Sequence, residues 1–195
     1  DFVPNKAADR CSARGSAAQS TMAALDPASP EAQALFKYLI DLRVAVTSTL
    51  TVFETFTPGR PLPPGLDVLV TPLREEFERR FAVTAKSTQS PYRTVFPKGM
   101  AMEYAFAKAG GTLIVGTDPT GGGGVIPGFS NQRALELLVE AGFTPLEAIR
   151  IGTLNGAVYL GRGDLVGSIA VGKQADLVVI DGNPAAQIAD VRKVQ

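Results

Sequence analysis

The stretch Gly111-Thr112-Leu113-Ile114-Val115-Gly116-Thr117-Asp118 decides how this chain folds. From Thr112 it is β-branched and apolar without alternation, the pattern of a strand buried on both faces. It breaks off in Gly116-Thr117-Asp118, and Pro119, Thr120 and the glycines of residues 121–124 follow. A buried parallel strand that delivers a carboxylate at its C-terminal end is where α/β enzymes place their chemistry. Asp118 is therefore the first candidate for a functional residue. Taken alone, an aspartate before proline is also an ordinary turn former.

Helices flank the strand on both sides. Upstream, Pro97 predicts a helix start, with Met102, Ala105, Phe106 and Ala109 on one side and Gly110-Gly111 as the stop. Downstream, Ser130 predicts a cap for a helix whose inner face is Leu135, Leu138 and Val139. Thr144-Pro145-Leu146-Glu147 is a capping box with proline at the first helical position. That helix runs to about Gly152, and Thr153 and Asn155 read as caps of a restart towards Gly161. The glycines at 121–124 lack the Lys or Ser-Thr pair of a nucleotide-binding loop and read as a flexible loop beside Asp118.

Further upstream, residues 44–53 are β-branched and predict a second strand, with Thr47, Thr49 and Thr51 sharing one face. Residues 57–66 hold Pro58, Pro61, Pro63 and Pro64 and form a loop. Thr71-Pro72 opens a helix with the stripe Leu73, Phe77 and Phe81. Ser29-Pro30-Glu31 opens another, with Leu35, Tyr38, Leu39 and Leu42 on its apolar face. Residues 1–28 read as a loop with a short helical turn near 17–25, and Cys11 reads as a small apolar filler rather than a reactive thiol. Beyond Gly161 the style changes. Gly163, Gly167 and Gly172 space out short segments, residues 175–181 predict a strand, and Gly182-Asn183-Pro184 a turn. Asp176, Asp181 and Asn183 are structural in this reading.

Composition narrows the function classes. The 195 residues are 45% hydrophobic and 19% charged, a globular balance. Nineteen basic and nineteen acidic side chains cancel, so nothing asks for nucleic acid or an anionic membrane as partner. No apolar run approaches the ~20 residues of a membrane span. One cysteine excludes an internal disulfide, which fits the cytoplasm and leaves a periplasmic or secreted parent open. There is no histidine, so a histidine triad, a histidine-bearing zinc site and a histidine base are excluded within the chain. The chain opens on Asp1 without Met, which reads as a start after processing, cloning or cleavage. Two strands among this many helices cannot make a stable sheet or close a barrel, so the chain reads as part of something larger.

Three segments, taken in order, resemble a known family. They are Leu113-Ile114-Val115-Gly116-Thr117-Asp118; then residues 135–150 running into Thr153-Leu154-Asn155-Gly156-Ala157; and last residues 167–181, Gly-Ser-Ile-Ala-Val-Gly-Lys-Gln-Ala-Asp-Leu-Val-Val-Ile-Asp. Over about residues 97–195 the set is similar to the C-terminal part of the metal-dependent amidohydrolases, in the imidazolonepropionase-like and prolidase-like branch. The resemblance implies an α/β fold, the C-terminal portion of a (β/α)₈ TIM-like barrel plus part of a small β-sandwich. Residues 44–53 would be its seventh strand and residues 112–117 its eighth. Residues 1–160 would belong to the barrel and 161–195 to the composite sandwich.

By the same resemblance, Asp118 matches the aspartate that binds the metal, orients the attacking water and passes its proton to the leaving nitrogen. The implied cofactor is Zn²⁺ or another divalent metal in the complete enzyme, with none held tightly by this chain alone. The implied substrate is a small amide, cyclic amide or dipeptide. The chain departs from the family in lacking every histidine ligand, which would have to lie upstream of Asp1. Its expected partners are therefore the N-terminal part of the barrel and further copies of itself. A catalytically inactive fragment or degenerate paralogue with a structural role is the alternative.

Overall fold

Two short strands lie side by side at the centre of the computed structural model, which describes residues 16–119 and 124–195. β1 (Val46–Ser48) and β2 (Leu113–Val115) pair in parallel, Val46 opposite Leu113 and Ser48 opposite Val115. The Val46 N–H donates to the Thr112 carbonyl at 2.9 Å and the Gly116 N–H to the Ser48 carbonyl at 2.8 Å, one bond past each end. A parallel pair needs a long crossover. Here it is α3 (Leu50–Thr55), α4 (Thr71–Lys86) and α5 (Tyr92–Lys108). Before β1 stand α1 (Ser16–Ala24) and α2 (Pro30–Asp41); after β2 come α6 (Phe129–Glu140), α7 (Pro145–Arg150) and α8 (Gly156–Tyr159). None of the described helices is long and apolar enough to cross a membrane.

The core explains the packing. Leu113 of β2 is fully enclosed by Leu50, Phe96, Met100, Leu137 and Leu138, while Ala32, Phe36 and Phe106 form a second cluster. α2 starts as its sequence demands: the Ser29 hydroxyl accepts from the Ala32 N–H at 3.2 Å, with Pro30 in the first turn. Its inner face is Ala32 and Phe36, however, while Tyr38 and Leu42 are exposed. Phe36 meets Phe106 with ring centroids 5.8 Å apart, and that contact turns the helix. In α4 the buried residue is Phe77, and Leu73 stands in solvent. The Thr144–Glu147 capping box forms as expected.

Several expectations are corrected. The strand expected over 44–53 stops at Ser48, and residues from Leu50 are helical. Leu50, Thr51 and Glu54 are the buried positions, a helical spacing, and the core contact of Leu50 overrides the β-propensity of the run. The threonine face therefore dissolves, leaving only Thr47 on a strand. α5 begins at Tyr92 with Pro97 inside it; burial of Val95 and Phe96 on the same helix offsets the missing hydrogen bond. α6 begins at Phe129 after Gly128, so Ser130 lies within the first turn and does not cap it. Thr153 and Asn155 do not cap a restart either. A π-helical segment, Ile151–Asn155, joins α7 to α8, and the Asn155 amide donates to the Leu113 carbonyl at 2.9 Å.

The strand expected over 175–181 forms no ladder. A single antiparallel bridge, Ile180 with Val194, stands there, supported by the Asp181 N–H on the Lys193 carbonyl at 2.8 Å. Ile169, Val171, Leu177, Val178 and Val179 along this tail are exposed. Apolar side chains with strand propensity form a strand only where a neighbour covers them.

Candidate active site

The C-terminal ends of both strands open on one face, and the chain turns sharply after each. After β1 only Thr49 precedes α3, so Thr51 lies beside the end of β2. Its buried hydroxyl donates to the Thr117 carbonyl at 2.9 Å. Gly116 has to be glycine at this approach: a Cβ there would sit 2.8 Å from the Thr47 methyl. Asp118 follows, exposed, with φ +48°. A non-glycine residue in that left-handed region carries about 1 kcal/mol of strain. Pro119 after it also favours extended backbone at Asp118. Such strained residues concentrate at functional sites.

The expected site residue is thus at the strand end, but the sequence reading missed its surroundings. The two carboxylate oxygens of Glu54 on α3 face the guanidinium of Arg133 on α6, with Nε 3.0 Å from Oε2 and Nη2 2.7 Å from Oε1. Arg133 also reaches Glu136 at 2.7 Å and Glu140 at 2.6 Å. Arg60 pairs with Glu54 and Glu140, and Arg192 pairs with Glu136 at 2.5 and 2.6 Å. Burial alone would lower the Arg133 pKa, but its hydrogen bonds to Glu54 and Glu136 hold it above its ordinary value. Arginines and glutamates balance here, so the cluster is a brace between α3 and α6 and offers no spare charge to a ligand. A signal existed in the sequence: Arg133, Glu136 and Glu140 share one helix face at i, i+3 and i+7.

A second acid was missed. Glu103 on α5 shares a hydrogen bond with Ser48 of β1, and its Oε2 atom is shielded with no partner among the described residues. Burial pushes this carboxyl up to about 7, against the Ser48 hydrogen bond, which pulls it down. Between the ordinary value of 4.5 and about 7 the folded protein holds a proton that the unfolded chain has released. Stability from this group therefore falls as pH rises through that window, by about 2 kcal/mol once partial solvent access is allowed for. Glu103→Gln is expected to flatten the decline. Melting temperatures of parent and variant across pH 4.5–8 check it, and parallel curves would rule out the shift.

A metal would find little in these residues. Among the described residues no group of three His, Cys, Asp or Glu side chains is placed to hold one, and the sequence has no histidine. Asp118 fits one coordination position and not a whole site. Asp181 and Asn183 are held through their backbones, the Asp181 N–H donating to the Lys193 carbonyl and the Asn183 N–H to Asp190, each at 2.8 Å. Cys11 and glycines 121–123 lie outside the described residues.

The model of the amidohydrolase family matches residues 96–195. A 5'-deoxyadenosine deaminase of Methanobrevibacter smithii is 43% identical over 58 residues, 30% of this chain and 13% of that protein. An imidazolonepropionase of a Geobacillus species is 38% identical over 78 residues, 37% of this chain and 17% of that protein. The crystal structure of a putative prolidase from Bifidobacterium longum superposes with a TM-score of 0.52 and 27% identity, covering 75% of this chain and 31% of that one. The chain thus spans about a sixth or less of these curated relatives and about a third of the solved structure.

Proposed function

The chain belongs to the amidohydrolase family, whose hydrolases generally depend on a divalent metal, and from that premise we propose that it is the C-terminal part of a hydrolase of carbon–nitrogen bonds. β1 and β2 serve as the seventh and eighth strands of a (β/α)₈ barrel. Residues 1–160 contribute to the barrel and 161–195 to a β-sandwich completed by other parts of the protein. Three features support this: the right kind of pairing, parallel with a helical crossover; a sheet that has two strands and open edges among the described residues; and the exposed apolar tail.

The observation that carries the reading is the strained aspartate at the end of β2, inside the matched segment. Asp118 would supply one metal ligand and act as the base for the attacking water. It takes the proton on a carboxylate oxygen and returns it to the departing nitrogen. A bound divalent metal, zinc or another, lowers the pKa of water to about 7, so a carboxylate can complete the deprotonation. The remaining ligands come from outside this chain, and the substrate is a small amide, cyclic amide or dipeptide.

Metal removal tests the reading. The complete protein, stripped with a chelator, is expected to lose turnover of such substrates and to recover it on adding zinc or another divalent ion. The 195-residue chain alone, desalted after zinc loading, is expected to retain no stoichiometric metal. Turnover that is indifferent to chelation, or tight zinc on the isolated chain, would contradict it.

A further inference from the structure

We propose that Thr51 is a positioning residue for Asp118, its hydroxyl pinning the Thr117 carbonyl and so holding Asp118 in the turn that ends β2. This rests on the reading of Asp118 as the water's base. The strand ladder gives out just before the site: its last bond is the Gly116 N–H on Ser48. Beyond it, Pro119 has no N–H to offer, and its ring biases Asp118 towards extended backbone. Asp118 is nevertheless at φ +48°. The Thr51 hydroxyl lies 2.9 Å from the carbonyl oxygen of the peptide between Thr117 and Asp118 and holds that peptide from the α3 side.

The tie is anchored from both sides. Thr51 is only 4% exposed, so water does not compete readily for its hydroxyl. One residue before it, Leu50 is locked in the core; one turn after it, Glu54 is gripped by the Arg133 fork from α6. A helix held at both ends cannot follow the loop if the loop relaxes. The hydroxyl therefore acts as a fixed post for the Thr117 carbonyl, sixty-six residues on, and the aspartate that follows takes its direction from it. The ordinary alternative is that threonine fills this place with its methyl group alone.

Two near-isosteric substitutions in the complete protein separate these roles. Thr51→Val keeps the shape and removes the donor; Thr51→Ser keeps the donor and removes the methyl. We expect Thr51→Val to lower kcat about tenfold with KM within about twofold, the signature of a misaimed catalytic group. Thr51→Ser is expected to restore kcat. Crystal structures supply the readout that is independent of turnover: Asp118 moves to negative φ in Thr51→Val and stays left-handed in Thr51→Ser. Thr51→Ala repeats both readings should valine impair folding. A serine variant as slow as the valine variant, or a valine variant with Asp118 unmoved, overturns the proposal. If Asp118→Asn turns over at the parent rate, the reading of Asp118 as a base fails, while the two crystal structures still decide whether Thr51 holds the turn.

Discussion

Asp118→Asn in the complete protein is expected to lower kcat about 10²-fold or more, the usual worth of a positioned general base. The substitution is well suited to this site. Asparagine tolerates the left-handed region as aspartate does, so the φ of +48° at the end of β2 can persist and the backbone is not the variable. It also keeps one oxygen that can face a metal. What it loses is the ability to take a proton. Bound metal should therefore fall much less than turnover, and measuring both in one preparation separates the base from the ligand. Asp181→Asn is the control, since Asp181 stands beside the Ile180–Val194 bridge, its N–H tied to the Lys193 carbonyl. Parent-like turnover in both variants would make Asp118 a turn residue and nothing more.

What the sequence could disclose followed from how local each signal was. Leu113 to Val115 form a strand where the apolar run predicted one, though shorter than expected and with Ile114 and Val115 only half-buried, and Thr144 to Glu147 declared a helix start because its whole hydrogen-bond pattern lies within four residues. Residues 44–53 misled for the complementary reason. Valine and threonine favour strands on average, but Leu50 packs into the core with Leu113, 63 residues further along the chain, and no local pattern carries that contact. The site divided in the same manner. Asp118 could be singled out as a candidate because it follows closely on a strand that is recognisable locally. Thr51 could not be, because its hydrogen bond is to the Thr117 carbonyl, far away in the sequence. The tail beyond residue 163 has strand composition without a strand, since the ladder it needs is not made by the described residues.

The largest loss of stability is expected from Arg133→Met, about 3 kcal/mol, because it removes the shared cation from carboxylates that water scarcely reaches. Glu54 and Glu136 are 8% and 6% exposed, and neither can be rehydrated without moving α3 or α6. The figure lies at the low end for a broken buried pair because each keeps one arginine: Glu54 keeps Arg60 and Glu136 keeps Arg192. Arg133→Lys should fall between parent and Met, since one ammonium cannot fork across both Glu54 oxygens. Adding Glu54→Gln to Arg133→Met should return part of the loss, which an independent pair of mutations would not do.

The pH dependence gives a second check on the same cluster. Burial would raise the Glu140 carboxyl, but the hydrogen bond from Arg60 and the charge of Arg133 hold it below its ordinary value. Its contribution is thus present above the unfolded value of 4.5 and is lost as pH falls through the lower folded one. Arg133→Met should make that acid limb shallower as well as lowering the plateau. Urea unfolding at pH 7 and across the acid limb measures both. If the Arg133→Met midpoint matches the parent at pH 7, the arginine is solvated in solution, and α3 needs some other anchor than the fork from α6.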